Sequence, residues 1–539
     1  MKKIISLVLA LAMIMMVGAA FATDPQPESG EFTHGAFSQS VETTITASGL
    51  DSGDAVYYTQ LVEFDPTVEG GWKLTTDGSS CGVSLAELLN GITAAEAAEI
   101  ASHFTSGGTQ MTTDGTSATA SVPAGLYYLR AVATSDDTIY NPAFVSADYY
   151  AGGNIVDFST TIGSSAVVKK SSVEFDKQVG HGSTHDYTYN DVKPGDYIPY
   201  KITTKIPAYG TAYDEAVFTV SDSFSTGLVL AIDDDHPFTV TYGDGTGTQA
   251  GVTDVYTSNA ANNGSSFEIV FDEDYLLSAS RGVTNVTITY YGKVTTNAPM
   301  NVNPLDNTAS LTYSNKPGET SDKHDRTRHY TFSIDGNLLG QTGKITKELI
   351  KVGVDANGNV IEQSKETVHT EAVSPLAGAN FTLAPVANTG AGFGTGTVAT
   401  INSASDGTLT WNGLDAGIYS LVENTAPNGF VKDTTTYYIA IVPTYTGDIL
   451  TSYKILWGTV ADVDQMTEVT TFNMSNTGSG YEEVVTSSSA DDAHAKVQNT
   501  QGYELPSTGG IGTTLFYVIG GLLVVAAAIV LVARRKAND

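Results

Sequence analysis

The sequence predicts an all-β protein built from tandem immunoglobulin-like β-sandwich domains, with a short helix in the first domain and a transmembrane helix near the carboxyl end. Alternating apolar and polar residues recur along the chain, for example in Tyr197–Lys205, Val286–Tyr291 and Phe381–Pro385. A period of two is typical of half-buried strands, and glycine, aspartate and asparagine separate these stretches as turn residues do. A helical period is clearest within Ser84–His103, inside the first domain.

Length and composition limit the number of domains and the class of partner. A chain of 539 residues is too long for one ordinary hydrophobic core. Its formal charge of −33 argues against nucleic-acid binding, which needs basic surfaces that face phosphates. The single cysteine, Cys81, excludes an internal disulfide framework, and the nine histidines show no metal-ligand spacing. We therefore expect no cofactor and no metal ion.

The amino-terminal residues have the pattern of a secretory signal peptide. The basic head Met1–Lys3 precedes the apolar run Ile4–Val17, and the small-residue trio Ala20–Ala22 follows it. This order of basic, apolar and small residues predicts a signal peptide over 1–22 that is cleaved before Thr23. A short membrane anchor is the alternative, but the apolar run is short for a span.

The carboxyl end contains three signals in a fixed order. Leu515–Ala533 is long and apolar enough to cross a membrane, and the basic residues Arg534–Lys536 place the tail in the cytoplasm. The five residues just before this span are Leu505, Pro506, Ser507, Thr508 and Gly509. This order resembles the LPxTG cell-wall sorting signal of Gram-positive surface proteins. The resemblance implies that a membrane sortase cuts between Thr508 and Gly509 and passes the threonine carboxyl to an amine.

The product of that sorting would be secreted and anchored to peptidoglycan at the extracellular surface, with the helix as a transient membrane tether. Between the two ends, we place domain boundaries near residues 165 and 335. The predicted division is a signal peptide (1–22), a first domain (23–165), a second domain (166–334), a third domain (335–500) and the sorting signal (501–539).

The third domain contains sequence blocks that resemble the collagen-adhesin B-type repeat of Gram-positive pilins. These blocks are Lys347–Asp355, Pro375–Leu383, Asp406–Leu414, Ala416–Phe430 and Val497–Thr500. The resemblance implies a spontaneous amide, an isopeptide bond, between a first-strand lysine and a last-strand asparagine, assisted by a glutamate. The corresponding residues are Lys351, Asn499 and Glu423. Lys347 would lie on the same strand face as Lys351 and is the rival nucleophile.

The chemistry requires that these three side chains be buried. Burial disfavours charge, so it lowers the pKa of a lysine and raises the pKa of a carboxyl group. A neutral lysine amine can then attack the asparagine carboxamide, while the neutral acid hydrogen-bonds the developing oxyanion and carries protons as ammonia leaves. In the alternative interpretation, Lys351 extends along the surface and Glu423 is an ordinary strand residue.

The second domain is similar to the fimbrial isopeptide-forming domain of pilin backbone subunits, which is related to the collagen-adhesin A-type fold. The similar blocks are Val173–Val179, Pro194–Pro207, Val220–Phe224 and Asn307–Tyr313. The resemblance implies Lys177 as the nucleophile, Asp222 as the acid and Asn307 as the acceptor. Alternatively, Asp222 caps a turn and Asn307 ends a strand.

The first domain resembles the amino-terminal domain of the same subunits through the block Val122–Arg130, which many β domains share. Backbone pilins contain an acceptor lysine near the end of this domain, usually in a Tyr-Pro-Lys motif, and this chain contains no such motif. The candidates here are Lys169 and Lys170, which would otherwise be solvated linker charges. Cys81 lacks the context of a reactive thiol and is expected to be an inert small residue.

These observations favour a structural subunit of a covalently assembled surface pilus, anchored by sortase and stabilised by internal isopeptide bonds. Its implied partners are the sortase, neighbouring pilin subunits and peptidoglycan. The alternative is a monomeric cell-wall-anchored adhesin whose first domain binds a host or glycan ligand. We expect no enzyme, because the sequence contains no nucleophile-elbow or paired-carboxylate motif.

Overall fold

The computed structural model describes residues 42–537 apart from short internal stretches. The stretches left out are 66, 69–70, 136, 148, 152–153, 157–161, 182–183, 210–212, 214, 244–254, 279–280, 301, 317, 337–347, 362–365, 369–370, 390–398, 477–480, 487–494 and 503–510. The predicted signal peptide at 1–22, the rival lysine Lys347 and the pentapeptide Leu505–Gly509 lie outside the described residues.

The chain divides into two compact units. The first comprises the described residues of 42–190, 194–298 and 305–329, and the second comprises those of 191–193, 299–304 and 330–537. The domain boundaries near residues 165 and 335 remain predictions.

The amino-terminal region of the first unit is a β-sandwich. Its strands are β1 (Thr43–Ser48), β2 (Ala55–Phe64), β3 (Trp72–Leu74), β4 (Thr109–Gln110), β5 (Thr112–Asp114), β6 (Ser117–Val122), β7 (Gly125–Val132), β8 (Thr138–Tyr140), β9 (Ala143–Ala147), β10 (Tyr149–Ala151), β11 (Asn154–Val156), β12 (Ser165–Val167) and β13 (Lys170–Ser172). One sheet has the order β12-β1-β6-β5 and the other β3-β2-β7-β9, with β4 on β2. Ile45, Val56, Leu129 and Val145 form part of the buried core between them.

Two short helices, α1 (Leu85–Asn90) and α2 (Ala94–His103), occupy the stretch predicted to be helical. Each begins with a capping box, in which Ser84 pairs with Glu87 and Thr93 with Glu96. The predicted helical stretch is present and consists of two short helices. Helix α1 ends at Asn90, and the next residue, Gly91, has a φ of 99°, which lies in the left-handed region that glycine adopts without strain.

The remainder of the first unit forms a second sandwich of antiparallel strands. They are β14 (Phe175–His181), β15 (Thr184–Tyr187), β16 (Tyr189–Asp191), β17 (Tyr197–Ile206), β18 (Phe218–Phe224), β19 (Leu228–Ala231), β20 (Thr239–Tyr242), β21 (Tyr256–Ser258), β22 (Ser266–Phe271), β23 (Thr284–Val294), β24 (Leu305–Lys316) and β25 (Glu319–Tyr330), with helix α3 (Glu273–Leu276) after β22. One sheet runs β15-β14-β17-β23-β19, with β20 on β23, and the other runs β16-β25-β24-β18-β22-β21.

Burial alternates along the central strands of this sandwich. On β17, Ile198, Tyr200 and Ile202 are buried, and on β23 every second residue from Val286 to Tyr290 is buried. The period of two seen in the sequence therefore places one set of side chains in the space between the sheets.

The second unit is built on a seven-stranded antiparallel sheet and a four-stranded sheet. The strands are β26 (Phe332–Ile334), β27 (Leu349–Val354), β28 (Glu366–Val368), β29 (Glu371–Pro375), β30 (Asn380–Asn388), β31 (Ala399–Asn402), β32 (Trp411–Leu414), β33 (Gly417–Thr425), β34 (Thr436–Thr446), β35 (Ile449–Gly458), β36 (Thr467–Asn476), β37 (Tyr481–Thr486) and β38 (Ala495–Thr500). The large sheet has the order β31-β30-β33-β34-β35-β36-β37, and the smaller one β28-β29-β27-β38. In the smaller sheet β27 and β38 are parallel neighbours.

Helix α4 (Ile511–Ala537) contains the predicted span Leu515–Ala533. Its segment Leu515–Ala537 has a mean hydropathy of 2.8 and no buried residues, and it is long and apolar enough to cross a membrane. Arg534, Arg535 and Lys536 occupy its last turn, where cations interact favourably with the helix dipole. The predicted fold class, tandem β domains with one carboxy-terminal apolar helix, is confirmed.

Candidate functional site

The second sandwich brings Lys177, Asp222 and Asn307 together between its two sheets. Lys177 lies on β14 of one sheet, whereas Asp222 and Asn307 lie on the adjacent strands β18 and β24 of the other. All three side chains are buried. The Lys177 Nζ atom donates a hydrogen bond to Asp222 Oδ2. The three residues predicted from the resemblance therefore form one cluster that crosses the sandwich.

Tyr290, which the sequence reasoning missed, lies at the centre of this cluster. Its hydroxyl accepts a hydrogen bond from Lys177 Nζ and donates one to Asp222 Oδ2 at 2.7 Å. It also accepts one from Asn307 Nδ2 at 3.3 Å. The signal was present in the alternation of β23, which places Tyr290 on the same inward face as Ile288. Sequence alone did not show that this face meets Lys177.

Aromatic rings form the walls of the pocket. The Nζ atom of Lys177 lies 5.0 Å from the ring centroid of Tyr200 and 5.2 Å from that of Tyr290, and the two rings stack with centroids 5.1 Å apart. Phe267 meets the Tyr290 ring edge-on at 4.9 Å. These rings exclude water from the lysine amine, so little solvation is left for a charge.

The charge balance of the Lys177 cluster favours neutral side chains. Burial lowers the pKa of Lys177, although the nearby Asp222 carboxylate opposes the shift. Burial also raises the pKa of Asp222, with Lys177 acting in the opposite direction. Among the described residues, Asp222 Oδ1 and Asn307 Oδ1 have no hydrogen-bond partner. Burial thus favours the uncharged forms of the amine and of the carboxyl group, which lie beside an amide whose carbonyl oxygen has no hydrogen-bond partner in the described part of the chain.

A second buried network fixes Tyr200. Its hydroxyl contacts His329 Nε2 at 2.7 Å, and His329 Nδ1 contacts Asn190 Oδ1. Burial lowers the pKa of His329 to about 3, with the nearby Lys177 acting in the same direction. His329 is therefore neutral at physiological pH and holds the Tyr200 ring in place without adding charge to the pocket.

The second unit brings Lys351, Glu423 and Asn499 together in the same way. Lys351 is on β27 and Asn499 on the parallel neighbour β38, where Gly353 pairs with Asn499. Glu423 comes from β33 of the large sheet. The three side chains are buried, with Lys351 Nζ 3.3 Å from Glu423 Oε1 and Asn499 Nδ2 donating to Glu423 Oε2 at 2.8 Å.

The Lys351 amine is poorly satisfied by its neighbours. Burial lowers the pKa of Lys351 to about 8, against an opposing effect of Glu423. The 3.3 Å contact between Lys351 Nζ and Glu423 Oε1 lacks hydrogen-bond alignment, so neither atom has a hydrogen-bond partner among the described residues. Asn499 Oδ1 is likewise unpaired within that part of the chain. Buried polar atoms that lack hydrogen-bond partners are costly, so this arrangement contributes little to stability as it stands.

Backbone groups hold the Glu423 and Asn499 side chains in position. Glu423 Oε2 accepts a hydrogen bond from the Asp433 backbone N–H at 2.7 Å. Asn499 Nδ2 also donates to the Val431 carbonyl at 3.0 Å. The Phe381 ring lies beside the lysine, with its centroid 5.6 Å from Nζ.

A buried carboxyl pair, which sequence reasoning also missed, lies just before β27. Asp335 Oδ1 accepts hydrogen bonds from the backbone N–H groups of Glu348 and Leu349 at 2.7 and 3.0 Å, and its Oδ2 accepts one from Leu409 at 2.6 Å. The Glu348 carboxylate in turn accepts a hydrogen bond from the Asp335 N–H. Burial and the Glu348 charge raise the pKa of Asp335 well above its usual range. The pair fixes the start of the strand that carries Lys351.

The candidate acceptor lysines lie at the end of the amino-terminal region. Lys170 is exposed on β13, pairs with Tyr140 on β8, and its Nζ contacts the Asp51 carboxylate. Lys169 is half-buried, and its backbone carbonyl accepts a hydrogen bond from the Asn141 N–H at 2.9 Å. Beside this strand pair is a cleft of about 340 Å³ whose lining includes Tyr140 and Asn141.

Cys81 and two aspartates, Asp233 and Asp355, make local contacts of a structural kind. Cys81 is buried, its thiol contacts the Val83 carbonyl at 3.6 Å, and burial raises its pKa. The carboxylates of Asp233 and Asp355 accept backbone hydrogen bonds within their own turns. Within the described part of the chain, no group of three or more His, Cys, Asp and Glu side chains is placed to hold a metal ion.

Comparison with known families identifies two segments. Residues 361–451 match the SpaA family, described as a prealbumin-like fold domain. Residues 498–539 match the LPXTG cell wall anchor motif. The first segment carries Glu423, and the second includes Asn499 together with the pentapeptide and helix α4.

Comparison with whole proteins identifies similar chains. The trypsin-resistant surface T6 protein of Streptococcus pyogenes serotype M6 is 26% identical over 471 residues, which cover 77% of this chain and 79% of that protein. Among solved structures, the T6 backbone pilin of serotype M6 S. pyogenes has a TM-score of 0.54 and 19% identity, covering 86% of this chain and all of that one. The full-length major pilin SpaD from Corynebacterium diphtheriae has a TM-score of 0.45 and 16% identity, covering 86% of this chain and 98% of that one.

Proposed function

We propose that two Lys–Asn isopeptide bonds hold this chain internally and that Lys170 joins it to the next subunit. The chain is a structural subunit of a sortase-assembled pilus anchored at the cell wall. One bond links Lys177 to Asn307 and the other links Lys351 to Asn499. The observation that carries the proposal is the burial of two complete sets of lysine, acid and asparagine, each with an amide oxygen that no described residue hydrogen-bonds.

The sorting signal accounts for the location of the subunit. The LPXTG cell wall anchor motif covers 498–539, and helix α4 is the transient membrane tether. In the proposed sorting step, sortase cuts after Thr508 and transfers its carboxyl to an amine of another subunit or of peptidoglycan. In this proposal the subunit is a substrate of the sortase, and the only bonds that it forms unaided are those between its own side chains.

Each isopeptide bond would form by the same exchange. The neutral lysine Nζ attacks the Cγ atom of the asparagine, the new Cγ–Nζ bond replaces the Cγ–Nδ2 bond, and ammonia leaves with one proton that came from Nζ. In this proposal Asp222 and Glu423 hydrogen-bond the oxygen on which negative charge develops. Their positions support these roles, since each contacts the lysine of its own set.

The placement of the two bonds suits a fibre under tension. Lys351 is on the first strand of the four-stranded sheet and Asn499 on its last, so a bond between them closes most of the second unit into one loop. Lys177 and Asn307 lie on opposite sheets of their sandwich and would hold those sheets together. By analogy with disulfides, each loop closure would add about 4–5 kcal/mol through the entropy of the unfolded chain.

Two features favour Lys170 over Lys169 as the acceptor of Thr508. Its side chain is exposed, whereas Lys169 is half-buried. The Asp51 carboxylate also holds its amine at the surface. An acceptor must be reached by the acyl-enzyme of the sortase, so exposure is the first requirement.

The polymer assignment is tested by electrophoresis of cell-wall fractions under denaturing conditions. The wild-type chain is expected to give a ladder of covalent multimers, Lys170→Ala only monomers, and the matched variant Lys169→Ala the full ladder. A ladder from Lys170→Ala would show that another lysine is the acceptor. A wild-type chain that is anchored only as a monomer would support the adhesin alternative.

A further inference from the structure

We propose that the Tyr290 hydroxyl is a catalytic group of the Lys177–Asn307 reaction and carries the proton from the lysine amine to the departing amide nitrogen. This inference rests on the proposed isopeptide bond between these two residues and adds a fourth member to its site. It concerns the second sandwich alone.

The hydroxyl touches both nitrogen atoms between which a proton must move. Lys177 Nζ donates a hydrogen bond to it, and Asn307 Nδ2 lies 3.3 Å from it. The same hydroxyl donates to Asp222 Oδ2 at 2.7 Å. Among the described residues, Tyr290 is thus in hydrogen-bond contact with all three members of the predicted set.

The proton transfer through Tyr290 is balanced, because its oxygen receives one proton and gives up another. As the Cγ–Nζ bond forms, Nζ releases a proton to the lone pair of the Tyr290 oxygen that it already contacts. The hydroxyl proton of Tyr290 turns from Asp222 Oδ2 towards Nδ2 and is transferred there as the Cγ–Nδ2 bond breaks. Ammonia leaves, Tyr290 ends as the neutral phenol, and no other reactant is needed.

The Asp222 carboxyl group is then available for the developing oxyanion. Its Oδ1 and Asn307 Oδ1 are both buried and have no hydrogen-bond partner in the described part of the chain. A relay through Tyr290 separates proton transfer from oxyanion stabilisation, so that Asp222 does not have to perform both tasks. Burial raises the pKa of Tyr290 well above its usual range, which keeps the phenol neutral as a relay requires.

The Lys351 site differs in this respect. There the departing nitrogen, Asn499 Nδ2, donates directly to Glu423 Oε2 at 2.8 Å, and the ring beside the lysine is Phe381, which has no hydroxyl. Glu423 contacts the amine and the amide nitrogen through its two oxygens, so the acid can transfer the proton itself. The two sites in one chain therefore provide an internal comparison.

Removal of the hydroxyl is a conservative change in this pocket. The Tyr290 ring stacks on Tyr200 and meets Phe267 and Phe224 edge-on, contacts that phenylalanine would retain. The matched control is Tyr209→Phe. Tyr209 is also buried in the first unit, and its hydroxyl donates to the Val217 carbonyl at 3.2 Å, away from the three reacting residues.

The test is the time course of ammonia loss, measured by intact mass and peptide mapping of freshly synthesised full chain. Tyr290→Phe is expected to form the Lys351–Asn499 bond at the wild-type rate and the Lys177–Asn307 bond about 100-fold more slowly or not at all. Tyr209→Phe is expected to form both at the wild-type rate. Circular dichroism of Tyr290→Phe should match that of Lys177→Ala, a folded chain that cannot form the bond.

Three results would overturn the inference, and they differ in whether the proposed isopeptide bond remains supported. If Tyr290→Phe forms the Lys177–Asn307 bond as fast as the wild-type chain, Tyr290 has no catalytic role but the isopeptide bond remains. If the wild-type chain itself never loses ammonia at Asn307, both this inference and the proposed bond in the second sandwich are wrong. Should Tyr290→Phe fail to form the bond because it is unfolded, loss of the wild-type circular dichroism spectrum would assign Tyr290 a structural role and contradict the relay.

Discussion

Lys351 and Asn499 lie on adjacent parallel strands, β27 and β38, and both side chains contact the buried carboxyl group of Glu423. Strand β27 is the first strand of the four-stranded sheet in chain order, and β38 is the last. Along the sequence, 147 residues (352–498) lie between Lys351 and Asn499. A covalent bond at this point would tie both ends of the second unit together. The Lys177 cluster would tie the two sheets of its own sandwich together in the same way.

Replacing Asn499 with alanine should lower the stability of the second unit by about 4–5 kcal/mol, because the unfolded chain is no longer closed into a loop. Chemical denaturation of purified chain measures this loss. The matched control is Asn357→Ala, since Asn357 is exposed in the turn after β27 and should be neutral. An Asn499→Ala chain as stable as the control would mean that no bond constrains the wild-type unit.

Substituting either acid, Glu423 or Asp222, should slow only the isopeptide bond of its own site. Glu423→Gln removes the carboxyl group that contacts both the Lys351 amine and the Asn499 amide nitrogen, so the Lys351–Asn499 bond should form at least 100-fold more slowly, roughly the smallest effect of a lost acid–base group. Asp222→Asn should slow the Lys177–Asn307 bond by a similar factor. Peptide mapping by mass spectrometry distinguishes the two bonds, and each variant serves as the control for the other. Equal loss of both bonds in one variant would instead indicate global misfolding.

The unlinked Lys351 amine should make stability depend on pH in the alkaline range. Burial lowers the pKa of Lys351 to about 8 in the folded chain, against its usual 10.5 in the unfolded chain, and we expect the same difference in Asn499→Ala. Between these values the unfolded chain binds more protons, so stability should rise with pH, by an amount on the order of 2 kcal/mol. Denaturation at pH 7.5 and 9.5 measures the rise.

The control for this pH effect is Lys351→Met in the Asn499→Ala background. It removes the titrating amine and should flatten the difference between the two pH values. A rise of the same size in both variants would assign the effect to other groups.

The Asp335–Glu348 pair should produce the opposite dependence at lower pH. Because burial and Glu348 raise the pKa of Asp335 in the folded chain, the native state keeps a proton that the unfolded carboxyl releases. This stabilisation is fully present below the usual aspartate pKa of about 3.8 and is lost as pH rises through the folded value. The second unit should therefore be more stable at pH 5 than at pH 7.

Glu348→Gln tests the cause of that dependence. It removes the like charge beside Asp335, so the difference in unfolding free energy between pH 5 and pH 7 should shrink. Denaturation in the Lys351→Ala background keeps the isopeptide bond from masking the change. An unchanged difference would mean that Asp335 is not responsible.

Much of the fold followed from local patterns in the sequence. The period of two identified the strands, and the apolar length of Leu515–Ala533 identified helix α4. The helical stretch Ser84–His103 was identified as well, but not its interruption at Gly91, which depends on a single backbone conformation. Hydrophobic periodicity predicts a helix or strand well when one face of that element is buried along its whole length.

The candidate sites followed from family resemblance, and the structure adds what resemblance could not supply. Tyr290 contacts Lys177 because two sheets face each other, a relationship between residues far apart in the chain. The Asp335 N–H donates a hydrogen bond to the Glu348 carboxylate, and Asp335 has a φ of 50°, a conformation that its sequence neighbours do not reveal. Such contacts depend on tertiary placement rather than on any periodic signal.

The most direct test of the account is the intact mass of the chain spanning residues 23–504, compared with Lys177→Ala and Lys351→Ala. The account predicts that the parent lacks two ammonia molecules relative to its sequence, and that each variant lacks only one. A parent with its full unmodified mass would contradict both isopeptide bonds. The chain would then be a sorted surface protein whose β domains are held by non-covalent contacts alone.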